Sequence, residues 1–335
     1  MRVEKALSLG SRIVQQLNNQ NADKLQNHLA YVTGQARVRG SVTDPLTGVT
    51  APVLRLVRNV QMFQWQEQES GTSNASRVRH YDYYKAWSGT PVVSRSFHHS
   101  YGHENPSFTI LNQAFEADCT VGGQMVPGQL LNKVPAVVPL NPIPYSLNLY
   151  RLAEFTRAPC HRYNDEIYVG QNPPLPQVGD LRISYNVTPV GSLSIVAAEH
   201  GNSFTPYVVS DGDEAVYLIE FGKVPVERMF KDALNDNQLR LWGMRLLWWV
   251  VDWLGMVLLF YPIKAFTDAI PFLGQLAGFV IVVLCAAGAF FVNGIIIVAA
   301  WVYFRPLFAA VIFAVMLLVG ASALSVLRPR DESVR

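Results

Sequence analysis

Apolar residues are unevenly spread along this chain. Up to about residue 240 they alternate with polar ones, and beyond it they run almost unbroken. The stretch 245–264, "RLLWWVVDWLGMVLLFYPIK", has one interior charge, Asp252, and the segment 275–304 has none. Arg305 and Pro306 follow, and the chain is again uncharged to residue 327. A helix crosses a bilayer in about 20 residues, at about 1.5 Å of rise each. The pattern therefore predicts three membrane helices: 245–264, 275–304 and 307–327. Arg305 and Pro306 fall between the second and third. Arginine is costly at mid-bilayer but snorkels at its edge. Proline, lacking an amide N–H, suits a helix's first turn. A rival break at Asn293-Gly294 would leave Arg305 near the middle of a helix over 295–327, and is disfavoured.

The first 240 residues read differently. "DLRISYNVT" alternates strictly, with Leu181, Ile183, Tyr185 and Val187 on one side. This is the period of a half-buried strand. "NVQMFQWQEQES" and "RVRHYDYYKAW" predict two strands of a long hairpin, and "SLSIVAAE" and "EAVYLIEF" extend a sheet. "DPLTG" at 44–48 marks a turn. Residues 121–144, with five prolines, predict a loop or an irregular edge. Residues 11–30 are expected to hold a short helix, and the first seventeen residues a short amphipathic one. "VPVERMFKDALNDNQLRLW" predicts an amphipathic helix with Val226, Met229, Phe230, Ala233 and Leu234 on its apolar side. It leads to Trp242 and the first span, and is expected to lie along the membrane surface. The fold class that results is an α+β membrane protein: a β-rich soluble domain over 1–240, a three-helix membrane domain over 241–327, and a short basic tail over 328–335.

Composition sharpens the division. Charged residues make up 16% of the chain, against about 25% in an ordinary soluble domain. All seven histidines precede residue 241. A net charge of +2, without a basic patch interleaved with aromatics, argues against a nucleic-acid partner. Membrane lipids, other membrane proteins or further copies of the chain are the expected partners. Lys264 and the tail's Arg328, Arg330 and Arg335 fall on one side of three spans, the side read as cytoplasmic. The soluble domain would then face a lumen or periplasm. No signal-like apolar segment precedes it in the numbered chain, and a domain without one is expected to stay where it is made. Cys119 and Cys160 can pair in an oxidising compartment or remain thiols, and Cys285 sits among apolar residues. Asn74 and Asn186 begin N-x-[ST] matches that matter only in a lumen.

Candidate chemistry is sparse. "FHHSYGHENPS" at 97–107 gathers His98, His99, His103 and Glu104, residue types that ligate metals or move protons. The spacing is not that of a zinc-protease helix, and Gly102 and Pro106 predict a turn. A structured polar loop is the favoured reading, ahead of a partner contact and a metal or catalytic site. Asp211, Asp213 and Glu214 lack the full spacing of a calcium loop. No phosphate-binding or dinucleotide glycine motif occurs. The sequence thus predicts no enzyme, no cofactor and no metal. Asp252 is expected to serve helix packing, paired with Arg245 or a backbone group, rather than ion movement. Gly288, Gly320 and Ala323 would permit close helix approach.

Five pieces, in order, carry a family resemblance: "MFQWQE" at 62–67, "YGHENPS" at 101–107, "VGDLRISY" at 178–185, "WGMRLLWW" at 242–249 and "WVYFRPLFAA" at 301–310. Together they resemble the transmembrane protein 43 (LUMA) family across nearly the whole chain. The resemblance implies a large lumenal domain, closely spaced C-terminal spans and an endoplasmic-reticulum or inner-nuclear-membrane location. It also implies emerin and lamins as family partners, and no enzymatic role. The family pattern includes a leading transmembrane helix, and this chain starts almost where that helix should have ended. His103, Glu104, Asn105, Pro106, Trp242, Arg245, Asp252, Arg305 and Pro306 are the candidate interaction or structural positions. The expected function is that of a non-enzymatic membrane scaffold. The alternatives are an accessory subunit of a larger membrane complex, such as a respiratory assembly of the mitochondrial inner membrane, and a metal-dependent enzyme built on His98, His103 and Glu104.

Overall fold

A computed structural model describes residues 2–16, 27–72, 79–143, 148–209, 214–267, 273–302, 307, 310–311 and 313–319. The chain divides into two compact units, Met1–Leu234 and Asn235–Arg335. It is a mixed α+β domain followed by two long apolar helices.

Two sheets organise the first unit. One is antiparallel, with its main strands in the order Cys160–Tyr163, Glu166–Val169, Leu181–Pro189, Val53–Thr72 and Arg79–Ser88. The other is mixed and centres on Ser192–His200, which pairs with Leu29–Gln35, Ser203–Thr205 and Leu218–Phe221. The expected hairpin forms, with Met62 opposite Ser88 and Thr72 opposite Arg79. The alternation at 181–187 also holds: Leu181, Ile183, Tyr185 and Val187 are buried, and the residues between them are only partly so. Between 121 and 144, the short strands Gln124–Val126 and Val138–Pro139 flank a four-residue helix.

The long strand Val53–Thr72 has the same period of two. Leu54, Leu56, Arg58, Val60, Met62 and Gln64 are all buried. Its parity therefore turns two polar side chains inward. Burying a charge without a partner is strongly unfavourable. Asp44 answers Arg58: Nη1 donates to both carboxylate oxygens, at 2.9 and 2.8 Å. The Tyr185 hydroxyl donates to Asp44 Oδ2 at 2.6 Å, and the Leu46 amide donates to Oδ1 at 2.9 Å. Burial, reinforced by the adjacent carboxylate, pushes the Tyr185 phenol far above its ordinary value, so it stays a neutral donor. Gln64 answers its own burial by binding a loop. Its amide nitrogen donates to the Thr90 carbonyl at 2.9 Å, and its oxygen accepts from the Val92 amide at 3.0 Å.

Two sequence expectations need correction here. The N-terminal helix is Arg2–Ile13, and Gln15–Gln16 and Leu29–Gln35 are strands, so among the described residues of 11–30 only 11–13 are helical; 17–26 lie outside the described residues. The helix predicted from residue 226 leads into the first span, as expected. It continues unbroken as Val226–Thr267. Its apolar side, however, does not lie on a bilayer: Met229 and Phe230 are buried in a cluster with Ala6, Leu7, Leu29 and Val216. Covering those side chains with protein satisfies the same hydrophobic demand that a membrane surface would.

In the second unit, Leu273–Val302 forms one helix through Asn293 and Gly294, so that pair is not a turn. The Asn293 side-chain nitrogen donates back to the Ala289 carbonyl of its own helix, at 3.0 Å. The expected third span is described only at 307, 310–311 and 313–319, which are helical; Arg305 and Pro306 lie outside the described residues. Two helices, rather than three, are long and apolar enough to cross a membrane among the described residues. Their surfaces carry exposed Leu246, Leu247, Trp248, Leu258, Phe279 and Ile296. A contiguous apolar surface on this scale calls for lipid or another protein against it.

Candidate interaction site

The outer face of the hairpin carries the residues of opposite parity to the core. Trp65 stands opposite Lys85, Glu67 opposite Tyr83, and Glu69 opposite Tyr81. The Lys85 ammonium lies 4.6 Å from the Trp65 ring centroid, a cation–π contact. The Tyr83 hydroxyl donates to Glu67 Oε2 at 2.6 Å. These cross-strand pairs form an aromatic platform on a rigid two-stranded base.

The histidine-rich segment lies on this platform. His98 stacks on Tyr81 with centroids 4.7 Å apart, and His103 stacks on Tyr83 at 4.1 Å. The Trp65 ring meets His103 edge-on at 4.6 Å. The backbone is tied down as well. The His98 amide donates to Glu67 Oε2 at 2.6 Å, and the His99 amide donates to the Tyr83 hydroxyl at 2.9 Å. His103 Nδ1 donates to the His99 carbonyl at 3.0 Å. Glu104 accepts from the Gly102 amide at 3.1 Å, closing a turn in which Gly102 has φ +82°, a conformation that favours glycine.

Asn105 makes the firmest attachment. Its Oδ1 accepts from the Trp65 amide at 2.7 Å, and its Nδ2 donates to the Trp65 carbonyl at 3.0 Å. The side chain thus occupies the place of a neighbouring strand at that residue. Its own amide donates to Ser94 Oγ at 2.9 Å. Pro106 then packs against Gly179, where a Cβ would come within 3.0 Å of the proline ring. The Gly179 amide donates to the Phe63 carbonyl at 2.9 Å. Three separated sequence pieces, 62–67, 101–107 and 178–185, therefore meet in one place.

The hydroxyl of Tyr83 is the strongest influence on Glu67, and holds its carboxyl below the ordinary value. Burial and the Glu67 carboxylate together raise the Tyr83 phenol. His98 also meets the His99 ring edge-on, with centroids 4.7 Å apart. No group of three or more His, Cys, Asp or Glu side chains among the described residues is arranged to hold a metal. Cys119 and Cys160 are free thiols, and burial pushes the Cys119 thiol up to about 11.

In the second unit, the Arg245 guanidinium lies 4.7 Å from the Trp242 ring centroid. Asp252 Oδ2 accepts from Asn293 Nδ2 at 2.6 Å, so its carboxylate is tied to the second helix. Gly288 faces Met256, and Gly294 faces Met316. The Trp253 indole donates to the Val282 carbonyl at 3.0 Å. Sequence reading missed Trp65, Glu67, Tyr81, Tyr83 and Asn293 as partners of the residues it singled out. The strand parity that places Trp65, Glu67, Tyr81 and Tyr83 on one face was the signal for the first four.

A β-rich domain joined to helices long and apolar enough to cross a membrane defines the class as a membrane protein with a large extramembrane part. The family "Transmembrane protein 43" matches residues 62–306, and the chain belongs to it. This is a family of non-enzymatic, multi-pass membrane proteins of scaffold type. The chain is 26% identical to human transmembrane protein 43 over 309 residues, covering 87% of this chain and 75% of the human protein. It is 27% identical to the Drosophila melanogaster transmembrane protein 43 homolog over 327 residues, covering 89% and 79%. The Rattus norvegicus protein is 25% identical over 309 residues, with 87% and 75% covered. No solved structure matches the chain.

Proposed function

We propose that the chain is an organising scaffold of an endomembrane, the endoplasmic reticulum or inner nuclear membrane. Its extramembrane domain over 1–240 presents a partner-binding face, and three spans over 241–327 hold it in the bilayer. The third span, 307–327, begins after Arg305 and Pro306. The short basic tail lies on the opposite side of the membrane from the domain. The observation that carries this reading is the docked loop. A segment rich in rotatable side chains is fixed at both ends, by Glu67 and by Asn105, while Tyr101 at its tip stays 94% exposed. Ordering a loop costs conformational entropy. A prearranged loop with an exposed aromatic tip lowers that cost for a partner.

A photoreactive phenylalanine analogue at position 101 tests this in native membranes. The reading expects one or a few discrete protein adducts, reduced when Asn105→Ala frees the loop. Absence of protein adducts contradicts it. Protease added to sealed vesicles tests the compartment. A lumenal domain resists digestion until detergent opens the vesicle, and digestion of intact vesicles from the cytosolic side contradicts the assignment.

A further inference from the structure

The second strand of the hairpin, Arg79–Ser88, is the last strand of its sheet. Its neighbour shows which of its backbone groups are unpaired. Phe63 and Trp65 turn their N–H and C=O away from it: Phe63 bonds Asp180 and Gly179, and Trp65 bonds Asn105. Backbone groups alternate sides along a strand. Gln64, Gln66 and Gln68 therefore point to Ala86, Tyr84 and Asp82, which stand opposite them. Tyr81, Tyr83, Lys85 and Trp87 then direct their N–H and C=O outward, and among the described residues no group bonds these.

Open edges are usually blunted by short strands, charges, prolines or a covering loop. The opposite end of this sheet is the four-residue strand Cys160–Tyr163, and the second sheet ends in the two-residue strands Gln15–Gln16 and Arg37–Val38. Arg79–Ser88 has ten residues and contains neither proline nor glycine. Its two cations do not guard it. The Lys85 ammonium lies over the Trp65 ring, and Arg79 Nε approaches Glu69 Oε1 at 3.8 Å, so both reach inward across the hairpin. The Trp87 ring likewise turns to Phe63, with centroids 5.3 Å apart. The charge left on the edge is Asp82. It is exposed, has no ion pair among the described residues, and lies between exposed His80 and Tyr84 on the face away from the histidine-rich loop.

We propose, on the basis of the scaffold function, that Arg79–Ser88 receives an extended segment of a partner protein as an added strand, with a basic residue of that segment opposite Asp82. Unpaired main-chain donors and acceptors at every second residue are answered by another extended backbone. A helix bonds its own backbone groups internally and cannot answer them. Charge selects the segment, because opposite charges directly across a strand pair are favourable and like charges are not. An apolar residue two places from the basic one meets Tyr84. Side chains of the other parity lie beside Tyr81 and Tyr83, which carry His98 and His103, so edge and loop form one surface.

The test uses the full chain in bilayer discs and synthetic peptides of about eight residues, the length of an ordinary strand, with valine and threonine around one central lysine. Amide exchange is read residue by residue across 79–88. The lysine peptide is expected to slow exchange at Tyr81, Tyr83 and Lys85, and to leave the already bonded Asp82, Tyr84 and Ala86 unchanged. Methylating every second peptide nitrogen is expected to abolish the effect in one parity and to spare it in the other. Replacing the peptide's lysine by glutamate is expected to weaken binding about fivefold, and Asp82→Lys to reverse that preference. No slowing at any soluble peptide concentration, uniform slowing along the strand, equal effects of the two methylation patterns, or indifference to the charge swap overturns the proposal. So does protection of Tyr81, Tyr83 and Lys85 in the chain alone that rises with its concentration, which puts a second copy on the edge. Protein adducts at position 101 without protection of the edge by peptide keep the loop as the partner face and remove the edge. Protection without adducts keeps the edge and removes the loop.

Discussion

The side-chain amide of Asn105 bonds both backbone polar groups of Trp65, so one residue of the histidine-rich loop substitutes for a β-strand. Trp65 lies beyond the stretch of the long strand paired with Leu181–Pro189, which ends at Met62. Its outward-facing N–H and C=O would otherwise be an open sheet edge. Edges left open invite unwanted pairing, and covering them with a loop is one remedy.

Asn105→Ala removes a donor and an acceptor together. The Trp65 amide and carbonyl lose their partners in a partly buried place. Stability is expected to fall by about 1–3 kcal/mol. Hydrogen exchange at the Trp65 amide is expected to accelerate, with the amides of Leu181 and Ile183 unchanged. Unchanged exchange at Trp65 would show that the loop is held elsewhere.

Glu67 makes the loop's attachment depend on acid. Its carboxyl is held below its ordinary value of 4.5, chiefly by the Tyr83 hydroxyl. A lowered carboxyl stabilises the folded state above its unfolded value, and that stabilisation fades as pH falls through the folded value. The docking contribution of Glu67 is thus expected to be constant from pH 8 to about 5 and to decline below about 4.5. Melting temperatures of the native chain and Tyr83→Phe, compared across pH, check this. Their difference should narrow in acid; a difference that widens in acid contradicts the sign.

The buried pair Asp44–Arg58 is expected to resist single substitution poorly. Asp44→Ala leaves Arg58 buried without its acid, at a cost of about 3–5 kcal/mol. Replacing both by apolar residues of similar size is expected to recover much of the loss. Denaturant melts of the single and double variants measure this, and equal stability of Asp44→Ala and the native chain would contradict it.

In the membrane unit, the Asp252–Asn293 bond is expected to couple the two long helices. Interhelical polar bonds in bilayers contribute about 0.6–2 kcal/mol. A double-mutant cycle with Asp252→Ala and Asn293→Ala, read from helix association in bilayers, should give a coupling in that range. A coupling near zero would mean the contact does not hold the helices together.

Much of the β-rich domain was legible because its signals are local. The alternation at 181–187 and the hairpin at 62–88 depend on a period of two that each strand displays alone. The two membrane helices were legible for the same reason, since run length needs no tertiary context. What stayed hidden was long-range. Arg58 falls on the buried parity of its strand, but nothing nearby in sequence identifies Asp44, fourteen residues upstream, as its partner. The helix from residue 226 was read correctly as amphipathic. Whether protein or lipid covers its apolar side is settled by Met229 and Phe230 meeting Ala6 and Leu7, more than two hundred residues away. The histidine loop was legible as a turn, whereas its seat on Tyr81 and Tyr83 required the register of the hairpin.

The proposed function is to hold other proteins in a membrane rather than to do chemistry. Isolation in mild detergent at native abundance, followed by mass measurement of the intact particle, tests it most directly. A scaffold is expected to give a particle larger than one chain, with partner proteins or further copies in fixed stoichiometry, partly lost when Asn105→Ala frees the loop. Recovery of a single chain with lipid alone, under conditions that preserve other membrane complexes, would contradict it.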